Sequence, residues 1–529
     1  MKSISRPIHL LFQGLLIVGF CTSMGCEAIK KRKHVDLGDI YNELAQIPDY
    51  ERNPVVVVPG ILGSRLIDGQ TGEIVWGEMG PGGVSPRRTR SLTELALPMQ
   101  SGVPLHQLHD NVRSDGPLDQ LTFRILGIPI RVNAYAQILA AMGVGGYRDQ
   151  HFRGKGAENE VDYGNEHFTC FQFDYDWRRD VSESAALLHH YLEEKHAYTQ
   201  QQYRERYGIE NADIKFDLVA HSMGGLVARY YLRYGNQPLP DDGSLPVLNW
   251  AGANRIGRLI LVGTPNLGST EAIVEMKEGM QLAPPLPKFP PAVIGTMPSV
   301  YQLFPRTEDQ PVKNANCQAI DMLAPETWQH LEWGLADPKQ ARTLARLMPN
   351  CSPEQRRAIA LEHQFKCLVR ARQFHASLDL VAKPPPGLKI HLFAGDAMPT
   401  LHSLVVDTRR RKISKKIEKA GDGTVSRTSA LSERKHSNAA EVYRLIDWDS
   451  ETFLSTDHLG LTRDRTFVDN VLNRLLSEQV NDTFRDGNSY QQPQVTPGYS
   501  GFGGEYVPTE TAPGYSGFGG EYVPVEVGH

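Results

Sequence analysis

Short apolar runs recur along the chain: PVVVV (54–58), FTCFQFDY (168–175), IKFDLVA (214–220), RLILVG (258–263) and LKIHLFAG (388–395). They are largely apolar and rich in β-branched or aromatic residues. That composition suits strands buried on both faces of a parallel sheet. Helical patterns lie between them, in SESAALLHHYLEEKHAYTQQQYRERY (182–207) and SMGGLVARYYLRYG (222–235). Strand–helix alternation predicts an α/β fold with a mostly parallel, doubly wound sheet. Residues 271–385 interrupt it with LAPPLPKFPPAVIG and a helix opened by Ser352-Pro353, where Ser352 and Gln355 fit a capping box. We read this segment as a cap inserted between two parts of one core, 53–270 and 386–480. Sites in such sheets form at the carboxyl ends of strands.

The two ends of the chain read differently. Lys2 and Arg6 precede the apolar run IHLLFQGLLIVGF (8–20), so residues 1–25 read as a secretory signal. SMGC (23–26) resembles a bacterial lipobox, with Ser23 where Leu is usual, and predicts lipidation of Cys26. The expected location is therefore the cell envelope, with the membrane surface as partner. KKRK (30–33), in a linker spanning 26–52, suits anionic headgroups or a solvated linker equally. PGYSGFGGEYVP occurs at 497–508 and again at 513–524, within a tail (481–529) that reads as disordered. With 529 residues, 40% of them hydrophobic, the chain suffices for one large domain with insertions or for two. Its formal charge of −5 argues against a nucleic-acid partner. Cys170, Cys317, Cys351 and Cys367 match no zinc spacing, and neither metal nor cofactor is expected. An exported chain allows Cys317 to pair with Cys351 or Cys367, whereas Cys170 reads as a buried thiol.

The chemistry concentrates after the third run. Ala220-His221-Ser222-Met223-Gly224 follows the pattern small-x-Ser-x-Gly between a strand and a helix. A turn that tight strains the Ser backbone and lifts its hydroxyl clear, which marks Ser222 as a nucleophile. A Ser nucleophile needs a base, an acid to orient it, and oxyanion donors. His458, in a loop after the strand-like EVYRLIDW (441–448), is preferred as base to His436 in a polar loop. Asp396, ending LKIHLFAGD, and Asp422, in the turn GDGTV (421–425), are both candidates for the acid. The N–H groups of Met223, after the nucleophile, and of Ile61, in Pro59-Gly60-Ile61-Leu62-Gly63, are expected to hold the oxyanion.

PVVVVPGILGSRL (54–66), YDWR (175–178), AHSMGG (220–225), GDGTV and DHLGL (457–461) appear in the order found in lecithin:cholesterol acyltransferase and its relatives, lysosomal phospholipase A2 and phospholipid:diacylglycerol acyltransferase. The chain resembles this family over about residues 53–475, and GTPNLGS (263–269) is lipase-like. The resemblance implies an α/β-hydrolase fold and selects Asp422 as the acid. It also implies that Trp76 lies near a substrate entrance. Two departures stand out: no Cys between 27 and 169 can close the family's small lid, and the cap is poorly matched. The expected function is a serine acyl hydrolase or acyltransferase on lipid esters, of phospholipase or lipase type, working through an acyl-enzyme. The alternatives are an esterase for non-lipid esters and a catalytically silent, surface-anchored lipoprotein that binds partners.

Overall fold

The computed structural model describes residues 49–79, 84–118, 120–125, 128–133, 138, 141–143, 145–150, 167–281, 287–435 and 442–476. The signal-like segment, Cys26, KKRK, His436 and the repeated tail lie outside them. Among the described residues, no helix is long and apolar enough to cross a membrane.

Six strands form the central sheet: β1 (Val55–Val58), β2 (Cys170–Gln172), β3 (Phe216–His221), β4 (Ile256–Val262), β5 (Lys389–Gly395) and β6 (Ser450–Leu454). Their order is β6-β5-β4-β3-β1-β2, and every pairing is parallel. The chain winds one way from β1 to β2 and the other way from β3 onward. The order therefore reverses between β1 and β3, where a crevice opens at the strand ends.

The apolar runs work as two-faced strands. Val56, Val58, Leu218, Leu259 and Leu261 join one core, while Val55, Val57, Val219, Ile260 and Val262 join another. Helices α1 (Val181–Tyr207) and α2 (Met223–Tyr234) cover the first face with Leu188, Leu192, Leu226 and Val227. A C-terminal helix, Arg465–Leu476, covers the second with Phe467, Val471, Leu472 and Leu475. This is the doubly wound arrangement expected from the sequence, and the chain has the α/β-hydrolase fold.

Local signals set the helix ends. Asp180 caps α1 by accepting from the Ser182 N–H at 2.7 Å, and Gly208, at φ 70°, closes it. Between β4 and β5 the chain passes through several short helices and the long helix Pro353–Asp379. That helix opens with both hydrogen bonds of the Ser352/Gln355 capping box. Its Cys367, Leu368, Ala371 and Phe374 enter the first core. Its last carbonyls are held from α2: Arg229 donates to Leu378, and Tyr234 to Ser377. An antiparallel hairpin, Met398–Asp407 and Lys412–Gly421, follows β5 and leads to Asp422.

Two expectations need correction. The stretch 441–448 does not supply the last strand. Val442–Arg444 pairs instead with Glu433–Lys435, and the sheet ends on Ser450–Leu454. An edge strand has one neighbour and tolerates Ser, Glu and Thr, so apolar content misplaces it. Cys170, Cys317, Cys351 and Cys367 are all free thiols, so neither anticipated disulfide forms. Cys367 is buried inside the core, whereas Cys317 sits on an exposed turn at φ 62°. Cys170 is the buried thiol expected.

The turn after β3 depends on glycine. A Cβ on Gly224 would lie 2.5 Å from the carbonyl oxygens of both Val58 and Pro59, which are backbone atoms with little room to move. Gly224→Ala should therefore destabilise by about 1–3 kcal/mol. Gly143→Ala, with nothing within 4 Å of its new Cβ, should not. Denaturant unfolding of both variants checks the contrast.

Candidate active site

Ser222 follows β3 directly and caps α2 with φ 53° and ψ −127°, a region that side chains rarely occupy. Holding it there costs on the order of 1–3 kcal/mol, supplied by the surrounding packing. The Ser222 N–H donates to the Val262 carbonyl at 2.8 Å, which pins the turn to β4. Small neighbours are obligatory: a Cβ on Gly60 would lie 2.7 Å from Ser222 Cβ, and one on Gly225 would lie 2.0 Å from Thr264 Oγ1. The hydroxyl therefore emerges where the ends of β1, β3 and β4 meet.

His458 reaches it from the loop after β6. Its Nε2 lies 2.9 Å from Ser222 Oγ, and its Nδ1 lies 2.7 Å from Asp422 Oδ2. An ionised carboxylate only accepts, so Nδ1 carries the proton and Nε2 accepts from the Ser222 hydroxyl. The other Asp422 oxygen accepts from the Thr424 and Val425 N–H groups at 2.9 and 2.7 Å. The His458 N–H donates in turn to the Asp422 carbonyl at 2.9 Å. Asp422 is thus fixed by its own Gly-flanked turn. Asp396 is adjacent but is not the partner: a Cβ on Gly395, the residue before it, would lie 2.6 Å from Asp422 Cβ. The fold thus brings Ser222, His458 and Asp422 together in one hydrogen-bonded chain.

Burial and charge oppose each other here. Burial presses the His458 imidazolium down, but the Asp422 carboxylate outweighs it and raises the pKa above the ordinary 6.5. Burial likewise presses the Asp422 carboxyl up. His458 and the two backbone N–H groups overcome that and hold it below the ordinary carboxylate value.

His221 is a site residue that sequence reasoning passed over. Its ring lies 4.8 Å from that of His458, and its Nε2 is 3.1 Å from the His458 carbonyl. A carbonyl only accepts, so Nε2–H donates and anchors the His458 loop. Burial and the neighbouring His458 push its pKa down to about 3, so it stays neutral. Its place beside the nucleophile was the available signal.

The loop expected to carry an oxyanion donor is clamped on both sides. Gly60 abuts Ser222, and the Gly63 N–H closes the turn on the Gly60 carbonyl at 3.1 Å. The Tyr175 hydroxyl donates to Pro59 at 2.8 Å, and the Trp76 indole N–H donates to Leu62 at 3.0 Å. Ile61 lies between these two anchored carbonyls. Met223, the other expected donor, is the first residue of α2 and is buried. Trp76 does not line an entrance: it has no exposed surface and packs edge-on against Trp177 at 5.2 Å. A large indole seated beneath the loop supports it rather than meeting solvent.

YDWR has a similar positioning role. The buried Arg178 guanidinium binds Asp176 through two hydrogen bonds, at 2.8 and 2.7 Å, and donates to the Glu94 carbonyl at 2.9 Å. It thereby joins the end of the helix Thr89–Leu95 to the turn after β2. Among the described residues no group of three or more His, Cys, Asp and Glu is placed to hold a metal ion.

The family model of lecithin:cholesterol acyltransferase matches residues 154–383, in agreement with the resemblance read from the motifs. The matched region takes in YDWR and AHSMGG; GDGTV and DHLGL lie beyond it. No curated protein matches the chain. Among solved structures, a chain of the Tle4-Tli4 complex matches with a TM-score of 0.52 and 16% identity, covering 80% of this chain and 98% of that one. At that identity the likeness concerns the fold. The family match supports ester hydrolysis or acyl transfer on lipid esters at a general level.

The clamp on the 59–63 loop is testable apart from any activity. Tyr175→Phe leaves the buried Pro59 carbonyl without its donor. It should lower the unfolding free energy by about 1–3 kcal/mol in a denaturant titration.

Proposed function

We propose that this chain is a serine acyl hydrolase or acyltransferase acting on lipid esters through Ser222, His458 and Asp422. The observation that carries the reading is the continuous hydrogen-bonded chain from Asp422 through His458 to Ser222, ending on a strained nucleophile turn. The family match over residues 154–383 favours a lipid ester over other acyl compounds. We further propose that the protein is exported and held at the envelope through a lipid on Cys26.

His458 Nε2 removes the Ser222 proton as Oγ attacks the ester carbonyl. The N–H groups of Met223 and Ile61 hold the oxyanion, and His458 then gives its proton to the departing alcohol. The acyl group, now esterified to Ser222, passes to water or to a second alcohol activated by the same imidazole. Asp422 stays ionised throughout. It holds the productive tautomer and stabilises the imidazolium that forms.

The pH dependence follows from the sign of the His458 shift. The base must be neutral to accept a proton, and its pKa is raised. Activity should therefore fall as pH drops, with the midpoint of the acid limb of kcat/KM above 6.5. Asp422→Asn removes the carboxylate that raises it. The limb should move to lower pH while kcat falls on the order of 10⁴-fold. A pH–rate series on a soluble short-chain ester checks both. An acid limb that stays in place in Asp422→Asn would remove Asp422 from the mechanism. Repeating the series with long-chain glycerophospholipids or triacylglycerols tests the lipid assignment: equal or lower kcat/KM on them than on short esters would favour a general esterase.

A further inference from the structure

The hairpin leading to Asp422 carries charge that the site chemistry does not use. Residues 409–419 read RRRKISKKIEK, with seven basic side chains and one acidic, in a chain whose formal charge is −5. The second strand, Lys412–Gly421, is the edge of a three-stranded sheet. Lys412, Lys415, Lys416 and Lys419 are exposed and form no salt bridge among the described residues. Arg410 and Arg411, at the tip, pair with Asp407 and Glu332 respectively. Ile413 and Ile417 are half-buried between the lysines, which are themselves exposed.

Exposed apolar side chains sit at the base of this hairpin. Met398, which opens its first strand and bridges to Asp422, is 39% exposed. Leu459, next to His458, is 43% exposed. Two apolar groups thus flank the candidate site, and a basic strand of roughly 30 Å runs away from it. A polyanion alone would have no use for Met398 and Leu459. A lipid surface with anionic headgroups meets both features: the lysines attract the headgroups, and the apolar pair enters the acyl boundary.

We propose that the hairpin 398–421 is a docking surface for anionic bilayers that brings the Ser222 site against the lipid. The inference rests on the lipid-ester reading only for the purpose of docking; the binding itself stands apart from turnover. The test uses the full chain carrying Ser222→Ala, so that binding cannot depend on hydrolysis. Cosedimentation is measured with vesicles of phosphatidylcholine alone and of phosphatidylcholine with phosphatidylglycerol. The readout is the ratio of the two affinities, in which any charge-independent contribution cancels. Adding Lys412→Gln, Lys415→Gln and Lys416→Gln should reduce that ratio by on the order of 10- to 100-fold, with the thermal unfolding midpoint unchanged. An unchanged ratio, or no anionic preference in the parent, would overturn the proposal. The lysines would then serve only to keep the edge strand from pairing with another chain. A triple variant that loses heparin retention but keeps its vesicle preference would overturn it equally. A wild-type chain that hydrolyses no ester while the ratio behaves as expected would sink the acyl-hydrolase reading and leave the docking surface in place.

Discussion

The backbone of Ser222 is the constraint on which the site depends. At φ 53° and ψ −127° it is held where few side chains go, and it stays there because the turn is packed from all sides. Gly60, Gly224 and Gly225 allow the ends of β1 and β4 to close on it. The Val262 carbonyl takes its N–H. Residues far along the sequence serve the same turn. Tyr175 and Trp76 fix the loop that presses Gly60 against it, and Arg178 braces the turn that presents Tyr175. The motif YDWR is therefore mechanical support for a hydroxyl that it does not touch.

Electrostatics completes what packing begins. An isolated buried carboxylate is strongly disfavoured, and Asp422 escapes that cost through two backbone N–H groups and the His458 ring. The same carboxylate overcomes the burial of His458 and leaves it a stronger base than a free imidazole. His221, kept neutral by burial, is a hydrogen-bond donor to the loop rather than a second charge beside the first. One acid, one base and one neutral histidine thus share a small volume without like charges meeting.

Much of this was legible in the sequence, for physical reasons. Strands β1, β3, β4 and β5 are buried on both faces, so each had to be predominantly apolar. The nucleophile turn imposes small residues at fixed offsets, so Ser222 stood out. The edge strand β6 did not, because one open side relaxes its composition. Asp396 ends a strand-like stretch and Asp422 sits in a Gly-flanked turn. Residue pattern alone left both open, the family resemblance selected Asp422, and in the fold it is Asp422 that faces His458. Trp76 and His221 illustrate the same limit in opposite directions. A Trp near the site turned out to be buried support, and a His inside the motif turned out to anchor the base. The hairpin after β5 escaped the apolar pattern, since its half-buried isoleucines are too sparse to announce a strand.

We propose that Ser222 is an activated nucleophile because His458 is hydrogen-bonded to it. Labelling the folded protein with a fluorophosphonate, with and without liposomes, and mapping the modified residue by mass spectrometry tests that most directly. The expected result is a single label on Ser222 that disappears in His458→Ala. Label on another residue, label that survives the loss of His458, or none under either condition would contradict it.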